Sequence, residues 1–145
     1  MSKSRSAARL AAVQAIYQQE MEGTALARLL HEFHQHRLGA TIGDIVYAEA
    51  EVDFFNDVVM GADARREEID ALITARLQPG WTTARLDKTL AAILRAATYE
   101  LVARRDIPVG SVIGEYLDVT EAFFDLKEKR FINGILDAIA KTARV

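Results

Sequence analysis

The chain has 145 residues, of which 50% are hydrophobic and 27% are charged, as in an ordinary globular protein. It contains no cysteine, which excludes disulfides, a thiol nucleophile and a cysteine-based zinc site. No apolar run is long enough to cross a bilayer and the basic N-terminus lacks the apolar core of a signal peptide, so we expect one cytoplasmic domain over residues 1–145 without membrane contact.

The net charge of −3 is unevenly distributed along the chain. Residues 1–19 contain basic but no acidic side chains, residues 44–70 are mainly acidic, and residues 76–105 are mainly basic. A protein that is acidic as a whole can still present a basic face to phosphates. The alternative is a set of solvated helix surfaces, and the charge pattern alone favours it.

The first part of the chain is predicted to form two helices. Over Ser4–Glu22 the apolar side chains follow a period of 3.6 residues, and Gly23 ends the pattern. Thr24 is a suitable cap for a second helix that runs to about His36. The glycine-containing segment Arg37–Asp44 is expected to be a loop.

The rest of the chain also reads as helical. A long helical stretch is predicted from Ile45 to about Leu77, with a bend or break at Gly61, and Gln78-Pro79-Gly80 ends it. A short piece then starts at Thr82 or Thr83. No sustained alternation or hairpin signal indicates strands, so the prediction is an all-α fold of about seven helices in one compact domain. Three further helices are predicted, over Asp87–Ala103, Pro108–Phe123 and Glu128–Ala143.

No set of residues suited to catalysis stands out. The sequence lacks a nucleophile elbow, a glycine-rich phosphate loop and an HExxH motif. His31, His34 and His36 are close in sequence but do not share one helix face, which favours a solvated helix end over a metal site. Glu100 and Glu115 lie in apolar helices and are expected to be buried hydrogen-bonding groups. We therefore expect a protein that is not an enzyme and that uses no metal or cofactor.

Three groups of basic and aromatic residues favour RNA binding. In the first helix, Arg5 and Arg9 are one turn apart, so both guanidinium groups are expected on one side, where they suit phosphate contacts. Tyr17 lies two turns further along and offers a ring for stacking on an unpaired base, although a core position beside Val13 is the alternative.

The second and third groups lie in the later helices. Arg95 is on the side of its apolar helix that faces away from Leu90, and a charged side chain there requires water or a partner. At the start of the last helix, residues 127–130 supply three cations directly before the ring of Phe131. Cations next to aromatic rings are typical of proteins that bind single-stranded RNA.

Four segments together resemble the NusB family. Residues 9–17, RLAAVQAIY, resemble its first-helix pattern R-x-x-A-V/L-Q-x-L-Y, and residues 93–101, ILRAATYEL, resemble its iLR-x-A-x-YEL helix. Residues 107–116 are similar to the segment that opens with Ile-Pro and ends in Glu-Tyr, and residues 130–137, RFINGILD, to the signature KFVNGVLD. The four motifs fall in the family's order and extend over essentially the whole chain.

The resemblance implies a NusB-like seven-helix fold of two packed helical bundles. Family members bind boxA RNA together with NusE, a small-subunit ribosomal protein, and join RNA polymerase and other Nus factors in transcription antitermination, notably of ribosomal RNA. A NusE surface is expected on the helices after Pro79, a homodimer of the free protein stays open, and Asn133 and Gly134 are assigned to helix packing. The expected RNA-binding residues are Lys3, Arg5, Arg9, Gln14, Tyr17, Arg95, Lys127, Lys129, Arg130 and Phe131.

Departures from the family pattern bear on affinity. The N-terminal arginine run of the family is reduced to Lys3, Arg5 and Arg9, while Lys127 replaces a residue that can be acidic and should favour phosphate. We therefore expect modest, salt-sensitive binding of RNA alone. Two other functions fit the same residues: a helical protein–protein interaction module with little RNA binding, and an accessory domain of an RNA methyltransferase.

Overall fold

The structure, a computed structural model, describes residues 3–36, 41–42, 45–46 and 51–144. Within these residues the chain forms seven α-helices, one turn of 3₁₀ helix at Thr83–Arg85, and one small antiparallel hairpin. The strands are β1 (Thr41–Ile42) and β2 (Ile45–Val46). The helices are α1 (Lys3–Glu22), α2 (Leu26–His36), α3 (Val52–Ala64), α4 (Arg66–Thr74), α5 (Lys88–Ala103), α6 (Val109–Glu121) and α7 (Leu126–Ala143).

The all-α prediction is confirmed, with a correction between α2 and α3. A loop was expected up to Asp44 and a helix from Ile45, but the two short strands pair there and α3 begins at Val52. The four paired residues are threonine, isoleucine, isoleucine and valine, all branched at Cβ, which favours an extended backbone. Runs of two such residues are too short to produce a detectable alternation.

The long helical stretch is two helices, and the break is not at Gly61. Helix α3 continues through Gly61 to Ala64, and Arg65 leaves helical geometry at φ −106° and ψ 21° before α4 begins. Gly61 serves packing, because a Cβ atom there would overlap the ring of Tyr99 on α5. The Tyr99 hydroxyl donates a hydrogen bond of 2.6 Å to Asp57, and burial together with this bond raises the pKa of Tyr99 to about 12.

Helix α5 is the centre of the core. Every residue from Ala91 to Leu101 is buried, and the helix packs against α1 and α3 on one side and α4, α6 and α7 on the other. Alanines at four of these positions let neighbouring helices approach closely. The Asp87 side chain caps α5 by accepting hydrogen bonds from the amides of Thr89 and Leu90 at 2.8 and 3.1 Å.

Arg144, which directly follows α7, ties the end of the last helix to the end of α5. Its guanidinium group donates to the carbonyl oxygens of Glu100, Leu101, Arg104 and Ile107, at distances between 2.6 and 3.3 Å. The last carbonyls of a helix have no partner within it and carry partial negative charge, so a cation is favourable there.

The expected packing role of Gly134 is wrong. Gly134 and Asn133 are exposed on α7, and a Cβ atom at Gly134 would meet no atom within 4 Å. The inner side of α7 is formed instead by Ile132, Leu136 and Ile139. None of the described helices is long and apolar enough to cross a membrane.

Candidate nucleic-acid interface

Arg9 is fully buried where α1 meets α5 and α6. Its Nε and Nη2 atoms each donate to one carboxylate oxygen of Glu100 at 2.9 Å, and Nη1 donates to Glu115 at 3.1 Å. Burial alone would lower the pKa of Arg9, but the hydrogen bonds and charge of Glu100 outweigh burial and raise it. The expectation that Arg9 presents its guanidinium group to RNA is therefore corrected, because all of that group is enclosed by protein.

Glu100 and Glu115 are hydrogen-bonding groups in the interior, as predicted. Glu100 has no exposed surface and also accepts a hydrogen bond from the Tyr116 hydroxyl. Burial and the adjacent Glu100 carboxylate raise the pKa of Tyr116 well above its ordinary value. Glu115 accepts a second bond from Ser6 Oγ at 2.8 Å. The cluster fixes α1 against α5 and α6.

Arg5 is half-buried and is also engaged within the protein. Its Nε atom donates to Glu51 at 3.0 Å, and its guanidinium carbon lies 4.7 Å from the centre of the Phe54 ring. Arg9 and Arg104 contact the same ring, at 4.8 and 5.2 Å. The side chain of Lys3 lies outside the described part of the chain.

Arg95 is almost fully buried, so its guanidinium group is not presented to RNA as the resemblance implied. It makes a bidentate contact with Asp70 on α4, at 2.9 and 3.2 Å, and lies 3.8 Å from Glu20 on α1. Glu20 also pairs with Arg66 and lies near Lys88, and the Arg66 hydrogen bond in particular lowers the pKa of Glu20. Arg95 therefore connects three helices.

Gln14 and Tyr17 lie together in an open groove with a volume of about 400 Å³. Tyr17 is 38% exposed, and Phe123 at the end of α6 is 45% exposed, so both rings are accessible from solvent. Thr89 at the start of α5 also lines this groove. The alternative of a core position for Tyr17 is thus excluded. The groove residues are Val13, Gln14, Tyr17, Gln18, Met21, Glu22, Thr89 and Phe123.

Phe123 was missed as a site residue in the sequence, where it only marked a helix end. Its amide donates to the Thr120 carbonyl at 3.0 Å in the turn that ends α6, and this turn directs the ring outward. The signal present in the sequence was the pair of adjacent aromatic residues Phe123 and Phe124, because consecutive side chains of a helical turn point in different directions. In the structure Phe124 packs against the core and Phe123 is exposed.

The basic residues at the start of α7 follow Phe123 along the chain but do not line the groove. Lys127 and Arg130 are exposed, while Lys129 bonds to Glu121. Phe131 is half-buried against the core, which leaves part of its ring accessible. The α7 cations thus follow the groove residue Phe123 in the chain but lie outside the groove itself.

Comparison with known proteins identifies the family. The NusB family model matches residues 6–141. The transcription antitermination protein NusB of Sphingopyxis alaskensis is 64% identical over 143 residues, covering 99% of this chain and 96% of that protein. The corresponding protein of Sinorhizobium fredii is 44% identical, covering 97% and 88%.

Solved structures of NusB proteins resemble this chain as well. Thermotoga maritima NusB superimposes with a TM-score of 0.79 at 30% identity, covering 97% of this chain and 93% of that one. A crystal structure of the antitermination factors NusB and NusE in complex with double-stranded RNA matches with a TM-score of 0.82 at 25% identity, covering 98% and 99%. On the family model and the close relatives together, the chain belongs to the NusB family.

Proposed function

We propose that the chain is a non-catalytic transcription antitermination factor that binds boxA-type RNA together with a NusE-type ribosomal protein. In this role it joins RNA polymerase and other Nus factors, notably in ribosomal RNA transcription. The observation that carries the proposal is the open groove with two accessible rings, Tyr17 and Phe123, in a chain 64% identical to an antitermination protein. The NusB–NusE–RNA complex among the similar structures supports both partners.

The groove has the chemistry of a site for unpaired bases. Every base has a face that stacks on an aromatic ring, and such stacking contributes about 1–3 kcal/mol per base. The Gln14 side chain lies in the same groove and offers a donor and an acceptor for a base edge. Arg9 and Arg95 act indirectly, by fixing α1 and α5 in position.

Lys127 and Arg130 are two cations available for phosphate contacts. Both are exposed, and neither forms an ion pair among the described residues. Arg5 and Lys129 would add to this surface only if their present contacts with the protein rearrange, whereas part of the Phe131 ring is already accessible.

The test is binding of a fluorescently labelled boxA RNA, with and without NusE, by the wild type and a Tyr17→Ala/Phe123→Ala variant. We expect the variant to bind RNA at least about 30-fold more weakly in the presence of NusE, since two stacking rings are lost. Met60→Ala removes an equally exposed apolar side chain from α3 and serves as the control.

A second variant tests the cations. Lys127→Ala/Arg130→Ala should lower the dependence of log K on log salt by about two, one for each lost phosphate contact. NusE binding that brings no gain in RNA affinity, in any variant, would favour the protein–protein interaction module instead.

A further inference from the structure

Trp81 is held on the surface by a tight turn. The segment Gln78-Pro79-Gly80-Trp81 closes with a hydrogen bond of 3.0 Å from the Trp81 amide to the Gln78 carbonyl. Gly80 has a φ of +87°, and proline followed by glycine with positive φ is the arrangement of a type II turn. Trp81 remains 45% exposed, so a large ring is presented to solvent on a fixed backbone.

A guanidinium group already covers part of this ring. The central carbon of Arg85 lies 4.8 Å from the indole centre, and Arg85 Nη1 also donates to the Gly80 carbonyl at 2.8 Å. The hydrogen bond to the Gly80 carbonyl holds the guanidinium group beside the turn. An aromatic ring with a cation on it, and with surface left open, has the features of a platform for a nucleic-acid base.

The charge around Trp81 favours RNA over a basic protein. Between residues 71 and 99 the only acidic residue is Asp87, whose carboxylate is used to cap α5. Within the described residues, neither Arg76 nor Arg85 forms an ion pair. Lys88 shares Glu20 with two arginines, so its charge is only partly neutralised.

Neighbouring residues of the chain and one hydrogen bond connect the groove to Trp81. Thr89 lines the groove, and its neighbour Lys88 donates to the Ala84 carbonyl at 3.2 Å. Arg85, next to Ala84, covers the Trp81 ring. The cations Lys88 and Arg85 thus lie on the segment of chain that joins the groove residue Thr89 to Trp81, where a phosphate backbone passing from one to the other would need positive charge.

We infer that Trp81 and Arg85 form a second stacking site, which takes an unpaired base of the same RNA strand after the strand leaves the groove past Lys88. This inference rests on the proposed function and extends it: RNA with an unpaired extension beyond the groove should bind more tightly than the short boxA-type RNA alone.

Trp81 is the only tryptophan in the chain, so its fluorescence reports on this site alone. The experiment titrates the protein, in complex with NusE, with a labelled boxA RNA and with the same RNA extended at its 5′ or its 3′ end by unpaired nucleotides. Tryptophan emission and the anisotropy of the label are recorded in one titration. A single-tryptophan signal requires that any tryptophan of NusE be replaced by phenylalanine.

We expect one of the two extended RNAs to quench Trp81 emission and to bind about tenfold more tightly than the short RNA. Trp81→Ala should remove this gain and leave binding of the short RNA unchanged, whereas Trp81→Phe should keep most of it. Arg85→Ala should reduce the gain in affinity that the unpaired extension brings. Arg105→Ala is the matched control, since Arg105 lies just beyond the far end of α5 and is another exposed arginine that forms no ion pair with the described residues.

Each other outcome has a distinct meaning. If both extended RNAs bind but leave the emission and the affinity unchanged, the second stacking site is wrong and the groove proposal stands. If NusE alone changes the emission, Trp81 belongs to a protein interface and the inference is overturned. If no RNA binds with or without NusE, the proposed function itself fails.

Discussion

A buried guanidinium group is stable only when its donors find acceptors, and Arg9 meets this condition with two glutamates from two different helices. Replacing Arg9 with methionine would leave Glu100 charged and uncompensated in the core. We expect Arg9→Met to lower the free energy of unfolding by about 3–5 kcal/mol, as measured by urea denaturation.

Arg5→Met is the matched control, because the Arg5–Glu51 pair is partly exposed. Its loss should cost about 0–1 kcal/mol. An Arg9→Met protein that is as stable as the wild type but no longer binds RNA would restore Arg9 as an RNA contact.

The Tyr99 phenol gives a prediction for alkaline pH. Its pKa is about 12 in the folded protein against 10.0 for an unperturbed phenol. The folded state therefore keeps the proton where the unfolded state has lost it, so this contribution to stability is complete below pH 10 and is lost as the pH rises from 10 to 12.

Two measurements check this. The phenolate absorbance assigned to Tyr99, from the difference between the wild type and Tyr99→Phe, should appear near pH 12. The decline in stability between pH 10 and 12 should be smaller in Tyr99→Phe. A Tyr99 phenol that loses its proton near pH 10 would contradict the expected effect of its burial.

At the scale of helices, the close crossing of α3 and α5 depends on Gly61. A methyl group there would overlap the Tyr99 ring, so Gly61→Ala should destabilise the protein by about 1–3 kcal/mol. Gly114→Ala, on the exposed side of α6 with no atom within 4 Å, should instead stabilise it by about 0.5–1 kcal/mol. The midpoint of thermal unfolding, measured for both variants, tests this prediction. Equal changes in the two variants would refute the packing role of Gly61.

Helix boundaries with a local chemical cause could be predicted from the sequence. Gly23 has a φ of +65° and ends α1, and the turn at Gly80 follows α4, as the backbone preferences of glycine and proline require. The hairpin before α3 was not predicted because each of its strands has only two residues, although Gly43-Asp44 between them was a turn signal in the sequence. The break at Arg65 could not be predicted, because it is a single residue without glycine or proline beside it.

The site was predicted only in part, for a related reason. Helical spacing says which residues share a face, but not whether that face is covered by a helix from elsewhere in the chain. Arg9 lies on the same face as Ala12, Val13 and Ile16, which are all buried, and this was a sign of burial that the sequence contained. Its partner Glu100 is 91 residues away, beyond the reach of any local pattern.

For the molecule as a whole, Arg144 joins the last helix to the end of the central one. Arg144→Met removes hydrogen bonds to four carbonyl oxygens and should lower stability by about 1–3 kcal/mol. Hydrogen exchange should become faster in the last turn of α5 and in the connection to α6.

Lys141→Met is the control for this change, since among the described residues Lys141 pairs with Asp137 alone, on its own helix, and is largely exposed. It should alter stability by less than about 0.5 kcal/mol. Unchanged exchange at the end of α5 in Arg144→Met would show that the guanidinium contacts do not hold that end.

The contacts of Arg9 with Glu100 and Glu115 also set an order of events during folding. They span 91 and 106 residues, so they can form only after α5 and α6 have come together with α1. Until then the three charges stay hydrated, and we expect variants at Arg9 to speed unfolding far more than they slow folding. Because the docked α1 supplies the groove wall that carries Tyr17, the ability to bind RNA should arise only once α1 has docked.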